Sequence, residues 1–306
     1  MSALALSVVI CTRNPRTDYF CRTLAALRAQ SRSLERWELV IVDNCCDQPL
    51  AGRVDLGWHP AAHITREETL GLTPARLRGI REARGELLVF VDDDNVLDPD
   101  YLDEAARVAD EKPFLGAWSG QCRPEFEAAP PDWSRRYFGN LALAEFDDDV
   151  WSNLPRMAET LPWGAGLCIR RDAAQHYLAL HEAGARAVQL DRAGASLLSG
   201  GDQDLAACAC DIGLGAGRIA ALRLTHLIPP ERLTVDYQTR LIEGIYFSRT
   251  LLDAMRGLRT STRKPLGKLV DLVRTLRLTP PHRQILRAAY RGRNRASEML
   301  ASQRNR

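Results

Sequence analysis

Residues 6–11 (LSVVIC) are an unbroken apolar, β-branched run of the kind a strand takes when both of its faces are buried. Charged and turn-forming residues follow at Thr12–Asp18; Tyr19, Phe20, Leu24 and Leu27 then recur at helical spacing before Trp37–Val42 (WELVIV) repeats the buried-strand pattern. Strand, helix, strand is the unit of a parallel sheet with crossover helices, and ligands in that architecture gather at the carboxyl ends of the strands. The next helix is predicted from an N-cap at Thr73, with Pro74 at its first position, to about Arg84, where Gly85 stops it. A third buried strand, Glu86–Val91 (ELLVFV), runs straight into Asp92, Asp93, Asp94 and Asn95, and Asp98–Pro99 starts a helix that reaches about Asp110.

Beyond residue 112 the pattern loosens, with Pro130–Pro131, tryptophans at 118, 133 and 151, and a second acidic triplet at Asp147–Asp149. Residues 145–160 read as a mobile loop. Order returns at Trp163–Arg170 (WGAGLCIR), a strand whose glycines allow close backbone approach, followed by a helix through His181. A Gly200–Gly201 turn opens a helix from Asp202 to Asp211, Leu222–Leu227 reads as the last strand, and the chain after Pro229–Pro230 reads as helical, without internal repeats. The expectation is an α/β region at 1–230, with halves at 1–112 and 113–230, and a helical extension at 231–306.

Composition narrows the class. With 306 residues, 45% of them hydrophobic, the chain is globular rather than disordered or collagen-like. No run approaches the roughly 18 apolar residues of a membrane span, and the N-terminal apolar run lacks a preceding basic segment, so a cytoplasmic protein is expected. The formal charge of +2 conceals a division: residues 256–306 hold 14 Lys+Arg and 2 Asp+Glu, which leaves 27 against 37 for residues 1–255. The eight cysteines lack C-x-x-C spacing and are expected to be reduced, mostly core thiols without metal or disulfide roles.

Candidate chemistry sits at the strand ends. Asp92–Asp94 closes a strand that should be central, where clustered hard oxygens suit Mg²⁺ or Mn²⁺ together with a diphosphate; Asp147–Asp149 has no such context and is expected to face solvent. Asp43 closes the second strand on the same rim, with an acidic turn residue as the plainer alternative. Arg76 and Arg78 point roughly 200° apart on their helix, so at most one faces the rim, where its fork would suit phosphate oxygens. Asp202 and Asp204 begin a helix after two glycines. They either complement the helix dipole or supply a general base. His226, ahead of the Pro229–Pro230 turn, is a rim residue or a satisfied core histidine.

Together these stretches resemble family 2 glycosyltransferases of the GT-A fold. SVVICTRNP, ELVIVDN, GLTPARLRGIREARGELLVFVDDDN, and WGAGLCIRR with GGDQDL carry the likeness in that order, over roughly residues 6–230. The resemblance implies a nucleotide-binding half at 1–112 and an acceptor half at 113–230. It implies that Thr12 and Arg13 frame the nucleotide pocket, Asp43 binds the base, Asp92 or Asp93 contacts the ribose, and Arg76 meets the diphosphate. Asp94 would ligate Mn²⁺ or Mg²⁺, with His226 completing the metal or diphosphate contacts. Asp202 would be the base, and Trp163, Gly164, Gly166 and Asp204 would line the acceptor side. Two departures stand out: Gly201 where the family often has Glu, and Leu77 where it often has Asn.

The implied reaction is single displacement with inversion, from a nucleotide-diphosphate sugar (UDP-sugar favoured) to a hydroxyl of a carbohydrate or lipid-linked acceptor. A catalytically inactive homologue acting as a binding or scaffold subunit is the alternative consistent with Gly201. A nucleotidyltransferase would carry a glycine-rich loop where this chain has TRNPRTD, and a receiver domain would need a phosphate-pairing lysine that Lys112, Lys264 and Lys268 do not provide. In the basic tail, Leu269, Leu272, Val273 and Leu276 fall on one helical face, which either packs on the protein or lies on an anionic membrane. One aromatic residue and no recognised motif argue against nucleic acid.

Overall fold

The structure, a computed structural model, describes residues 5–155, 159–186, 190–194, 196–258, 275 and 277–304. It divides into two compact units: Met1–Glu125, Ala142–Ala187 and Asp202–Ile228 form the first, and Phe126–Leu141, Val188–Gly201 and Pro229–Arg306 the second.

In the first unit β1 (Leu6–Thr12), β2 (Trp37–Asn44), β3 (Ala62–Glu67) and β4 (Leu87–Val91) form a parallel block in the order β3-β2-β1-β4. β2 and β4 are buried at every position and β1 at all but Cys11, which is why their sequences are continuous apolar runs rather than alternating ones. The sheet continues through β8 (Leu167–Arg170), β6 (Leu115–Phe126), β9 (Gly215–Ile228) and β5 (Asn95–Leu97), with β7 (Val150–Ser152) also on β9. β4–β8, β6–β8, β5–β9 and β7–β9 are antiparallel. The helices are α1 (Thr17–Arg28), α2 (Leu72–Glu82), α3 (Tyr101–Glu111), α4 (Arg171–Glu182) and α5 (Gly201–Asp211). The fold is thus α/β, with the parallel block extended by antiparallel strands.

One buried charge pins the amino ends of the parallel strands. Glu38 on β2 is fully buried; Ser7 Oγ donates to it at 2.6 Å and Arg84 donates through its amide (2.6 Å) and Nε (2.7 Å). Gly85 N in turn donates to Ser7 Oγ at 2.8 Å, so β1, β2 and the entry to β4 share one network.

Several elements differ from expectation. α2 begins at Leu72, with Gly71 at the cap position and no side-chain cap bond, so Thr73 lies inside the helix; the φ of 139° at Gly71 is a backbone state that favours glycine. α3 begins at Tyr101, and Asp98 accepts from Arg123 instead of capping it. β3 has only one buried position, Thr65, and no apolar alternation, so it left no strand signal. β6 occupies the stretch that read as loose, because Ser119 and Gln121 are polar yet buried and hydrogen-bonded. β7 falls inside the expected loop, while Asp147 and Asp148 are exposed as anticipated. Trp163–Gly166 form a turn ahead of β8 rather than its first half.

The second unit contains a 3-10 helix at Asp132–Leu141, α6 (Val235–Met255) and α7 (Pro280–Arg304). Thr234 caps α6 by accepting from Tyr237 N, and Leu190, Phe247, Leu251, Leu252 and Ala296 form one of its cores. Leu269, Leu272, Val273 and Leu276 of the expected amphipathic segment lie outside the described residues. No cysteine forms a disulfide, and among the described residues no helix is long and apolar enough to cross a membrane.

The Glu38 network makes stability pH-dependent. Burial opposes the charge, but the hydrogen bonds from Ser7 and from the Arg84 amide and guanidinium prevail and hold its pKa below the ordinary value. The contribution is therefore complete above about pH 4.3, the usual glutamate value, and is lost as pH falls through the lower folded-state value. Denaturant melts should show Glu38→Gln destabilised by about 1–3 kcal/mol at pH 7, with the gap to the native chain narrowing in acid. An unchanged midpoint at pH 7 would contradict this assignment.

Candidate active site

The parallel register sets Thr12 opposite Asp43 and Ile10 opposite Val91, so the ends of β1, β2 and β4 share one rim. Thr12 Oγ1 donates to the Asp93 carboxylate, and Thr23 Oγ1 donates to the Asp93 carbonyl at 3.2 Å. Arg13, partly exposed beside them, lies 3.8 Å from Asp47. Asp43 is buried: Oδ1 accepts from Cys46 N and Oδ2 from Leu50 N, both at 2.9 Å, and Arg66 Nη1 stands 3.1 Å from Oδ2. Burial raises its pKa, yet the two amides and the Arg66 charge outweigh burial and leave it lowered. Arg66 escaped the sequence reading. β3 pairs it with Asp43, and without β3 nothing marks it as a rim residue.

Asp94 and His226 meet through β5 and β9, whose register pairs Asn95 with His226. His226 Nε2 is 3.3 Å from Asp94 Oδ2, Asn95 Nδ2 donates to Asp94 Oδ1 at 3.1 Å, and Leu227 N donates to the Asp94 carbonyl at 2.9 Å. Both side chains are 8% exposed. Among the described residues no three His, Cys, Asp or Glu side chains converge as a complete metal centre. One carboxylate and one imidazole are nevertheless a donor set that a divalent ion completes with phosphate oxygens and water, so the residues fit such an ion.

Asp202, in the first turn of α5, receives Gly164 N at 2.9 Å on Oδ2 and Gln203 N at 2.9 Å on Oδ1. A methyl group at Gly164 would lie 3.1 Å from Arg76 Nη2 and 3.2 Å from Asp202 Cβ, so the turn brings Arg76 and Asp202 to one point. Arg76 is buried there, whereas Arg78 turns to Thr65 and Glu82; only one of the two faces this site. Trp163 donates its amide to Ser119 Oγ, and its ring is stacked by Arg218 at 3.7 Å. Burial lowers the Arg218 pKa to about 10. Asp204 is buried against Arg186 at 2.7 Å, and Gly166, at φ 67°, gives its carbonyl to Tyr101 at 2.7 Å. Within the second unit, Gly201 N donates to Asp191 Oδ1 at 3.0 Å, and any side chain at 201 would overlap that carboxylate. This is the physical reason for glycine at that position.

The family model "Glycosyl transferase family 2" matches residues 7–164, just over half of the chain, and the chain belongs to this family. It is 30% identical over 117 residues to the putative glycosyltransferase EpsH of Bacillus subtilis, covering 38% of this chain and 33% of that one. The chain spans between 15% and 41% of the length of the curated relatives it matches. Among solved structures, the mannosyltransferase PcManGT of Pyrobaculum calidifontis, in complex with GDP-Man and Mn²⁺, superposes with a TM-score of 0.55 at 19% identity over 97% of this chain and 74% of that one. S. aureus TarS 1-349, in complex with UDP-GlcNAc, does so with 0.53 at 16% identity over 93% and 79%. These likenesses establish a glycosyltransferase GT-A fold.

Gly166 shapes the turn that carries Trp163 and Gly164. A methyl there would overlap Tyr101 Oη and meet a φ that L residues rarely adopt. Gly166→Ala should cost about 1–3 kcal/mol in thermal or denaturant melts, and Tyr101→Phe should not restore it, since the backbone strain stays. Full rescue by Tyr101→Phe would reduce the constraint to sterics alone.

Proposed function

We propose that the chain transfers a sugar, with inversion, from a nucleotide-diphosphate sugar to an acceptor hydroxyl. The observation that carries this reading is the meeting of Arg76 and Asp202 at Gly164, in the same unit as the Thr12–Asp93 and Asp94–His226 pairs. Family membership supports it, as do fold relatives in complex with GDP-Man and UDP-GlcNAc.

Thr12 and Arg13 frame the nucleotide pocket, with a UDP-sugar favoured; Asp43 binds the base, Asp92 or Asp93 contacts the ribose, and Arg76 supplies a fixed cation to the diphosphate. Asp94 and His226 would hold Mn²⁺ or Mg²⁺, which neutralises charge on a departing diphosphate. Asp202 is the general base: the acceptor oxygen forms its bond to the anomeric carbon, the bond to the diphosphate oxygen breaks with its electron pair, and the acceptor proton passes to Asp202. The Gly164 and Gln203 amides orient that carboxylate. Trp163, braced by Arg218, and the adjoining Gly164–Gly166 turn face the acceptor, with Asp204 held by Arg186 supporting α5.

The acceptor is a carbohydrate or a lipid-linked intermediate of polysaccharide assembly, met at the inner face of a membrane. In the second unit Arg287, Arg291 and Arg295 are exposed at four-residue spacing on α7, whose only acid is Glu298; Arg291 and Arg295 share Glu243. Such a row suits anionic headgroups.

Release of nucleoside diphosphate from a panel of sugar nucleotides with Mn²⁺ tests the reaction. Asp202→Asn should lower turnover by about 10²-fold or more while keeping nucleotide affinity, and Asp94→Ala should lower both. No release from any donor, with nucleotide still bound, would instead assign a non-catalytic binding subunit. The chain should also float with anionic liposomes at low salt and lose that binding in high salt and in Arg287→Glu/Arg295→Glu; absence of flotation at low salt removes the membrane contact.

A further inference from the structure

A groove of about 780 Å³ runs along α1 in the first unit, and the transfer reaction does not account for it. Phe20, Leu24 and Ala25 of α1 form one wall; Leu50, Val54 and Trp58, in the segment that follows β2, form the other. The groove follows α1, which is 12 residues long, or about 18 Å at the helical rise. It contains none of Asp94, Asp202 and His226, and its rim end adjoins the proposed nucleoside pocket through Cys46 and Leu50, whose amides hold Asp43, and through Asp47, which meets Arg13.

The walls are held in place before any ligand arrives. The amides of Cys46 and Leu50 are tied to Asp43, and Asn14 exchanges two hydrogen bonds with Asp47, at 3.0 and 2.9 Å. Trp58 packs against His59 and Trp37, with ring centroids 5.3 and 6.3 Å away. A preformed groove with apolar side chains on both walls avoids much of the ordering cost of binding.

Charge distinguishes the groove from a plain crevice. Asp47 is engaged at the rim end by Asn14 and, at 3.8 Å, by Arg13, and Asp55 accepts from Gly57 N at 2.9 Å. Arg28, in the last turn of α1, and Arg53 both line the groove, both are exposed, and neither makes an ion pair among the described residues. Both lining acids are thus already engaged, and a mixed lining of apolar side chains with two such guanidinium groups complements an apolar chain ending in an anion.

We propose that this groove binds a single amphipathic anion: an alkyl or isoprenoid-like chain lying along α1, with its carboxylate or phosphate on Arg28 and Arg53. Cys21, exposed on the groove wall, provides a local reporter that does not depend on turnover.

In the full-length chain, decyl phosphate below its aggregation concentration should slow N-ethylmaleimide modification of Cys21, read by peptide mass spectrometry, while Cys45 outside the groove reacts at an unchanged rate. Decanoate should act likewise if the anionic end is all that is recognised; protection by decyl phosphate alone would narrow the head group to phosphate. Inorganic phosphate and decyltrimethylammonium should not protect. Arg28→Gln/Arg53→Gln should weaken the protection about tenfold or more, with the melting temperature kept. No protection at saturation, equal protection by the cationic amphiphile, or undiminished protection in the double variant would overturn the proposal. None of these readings changes with the fate of the transferase assay.

Discussion

The hydrogen-bonded register of β1 between β2 and β4 is the constraint on which the rest of the first unit depends. A slip of one residue on either side would turn every side chain of that strand to the opposite face of the sheet. With Thr12 opposite Asp43 and Ile10 opposite Val91, the rim receives Thr12, Asp43 and Asp93 together. The register is held at the far end by a buried carboxylate, Glu38, whose partners come from β1 and from the turn into β4. The side chains gathered at one end of the sheet thus depend on a charge network at the other.

The carboxylates of the unit share a residue type and differ in surroundings. Asp43 is saturated by two backbone amides and an arginine, so it shapes the chain after β2 as much as it presents a charge. Asp93 accepts from Thr12, and Asp94 faces an imidazole and an amide. Asp202 is aimed by two main-chain amides at a turn where a glycine lets Arg76 come close. Environment rather than identity distinguishes these acids.

Much of this was legible before any tertiary contact. Strands buried on both faces announce themselves as unbroken apolar runs, and β1, β2 and β4 lie within a residue or two of their expected places. β3 and β6 were not legible: β3 is half-exposed without alternation, and β6 contains buried Ser119 and Gln121 whose partners lie far along the chain. Cap positions failed where backbone geometry, not side-chain chemistry, sets the helix start, as at Gly71.

The sequence by itself determined the α/β class, the strand-end aspartates, the family and the uneven charge, because these depend on local periodicity and residue type. Only the tertiary structure decided that Arg66 answers Asp43, that His226 meets Asp94, that Arg76 rather than Arg78 turns toward Asp202, and that Asp191 takes the space beside Gly201. Each of these is a pairing between residues distant in the chain, and its distance follows from strand register and helix placement, which no local pattern encodes.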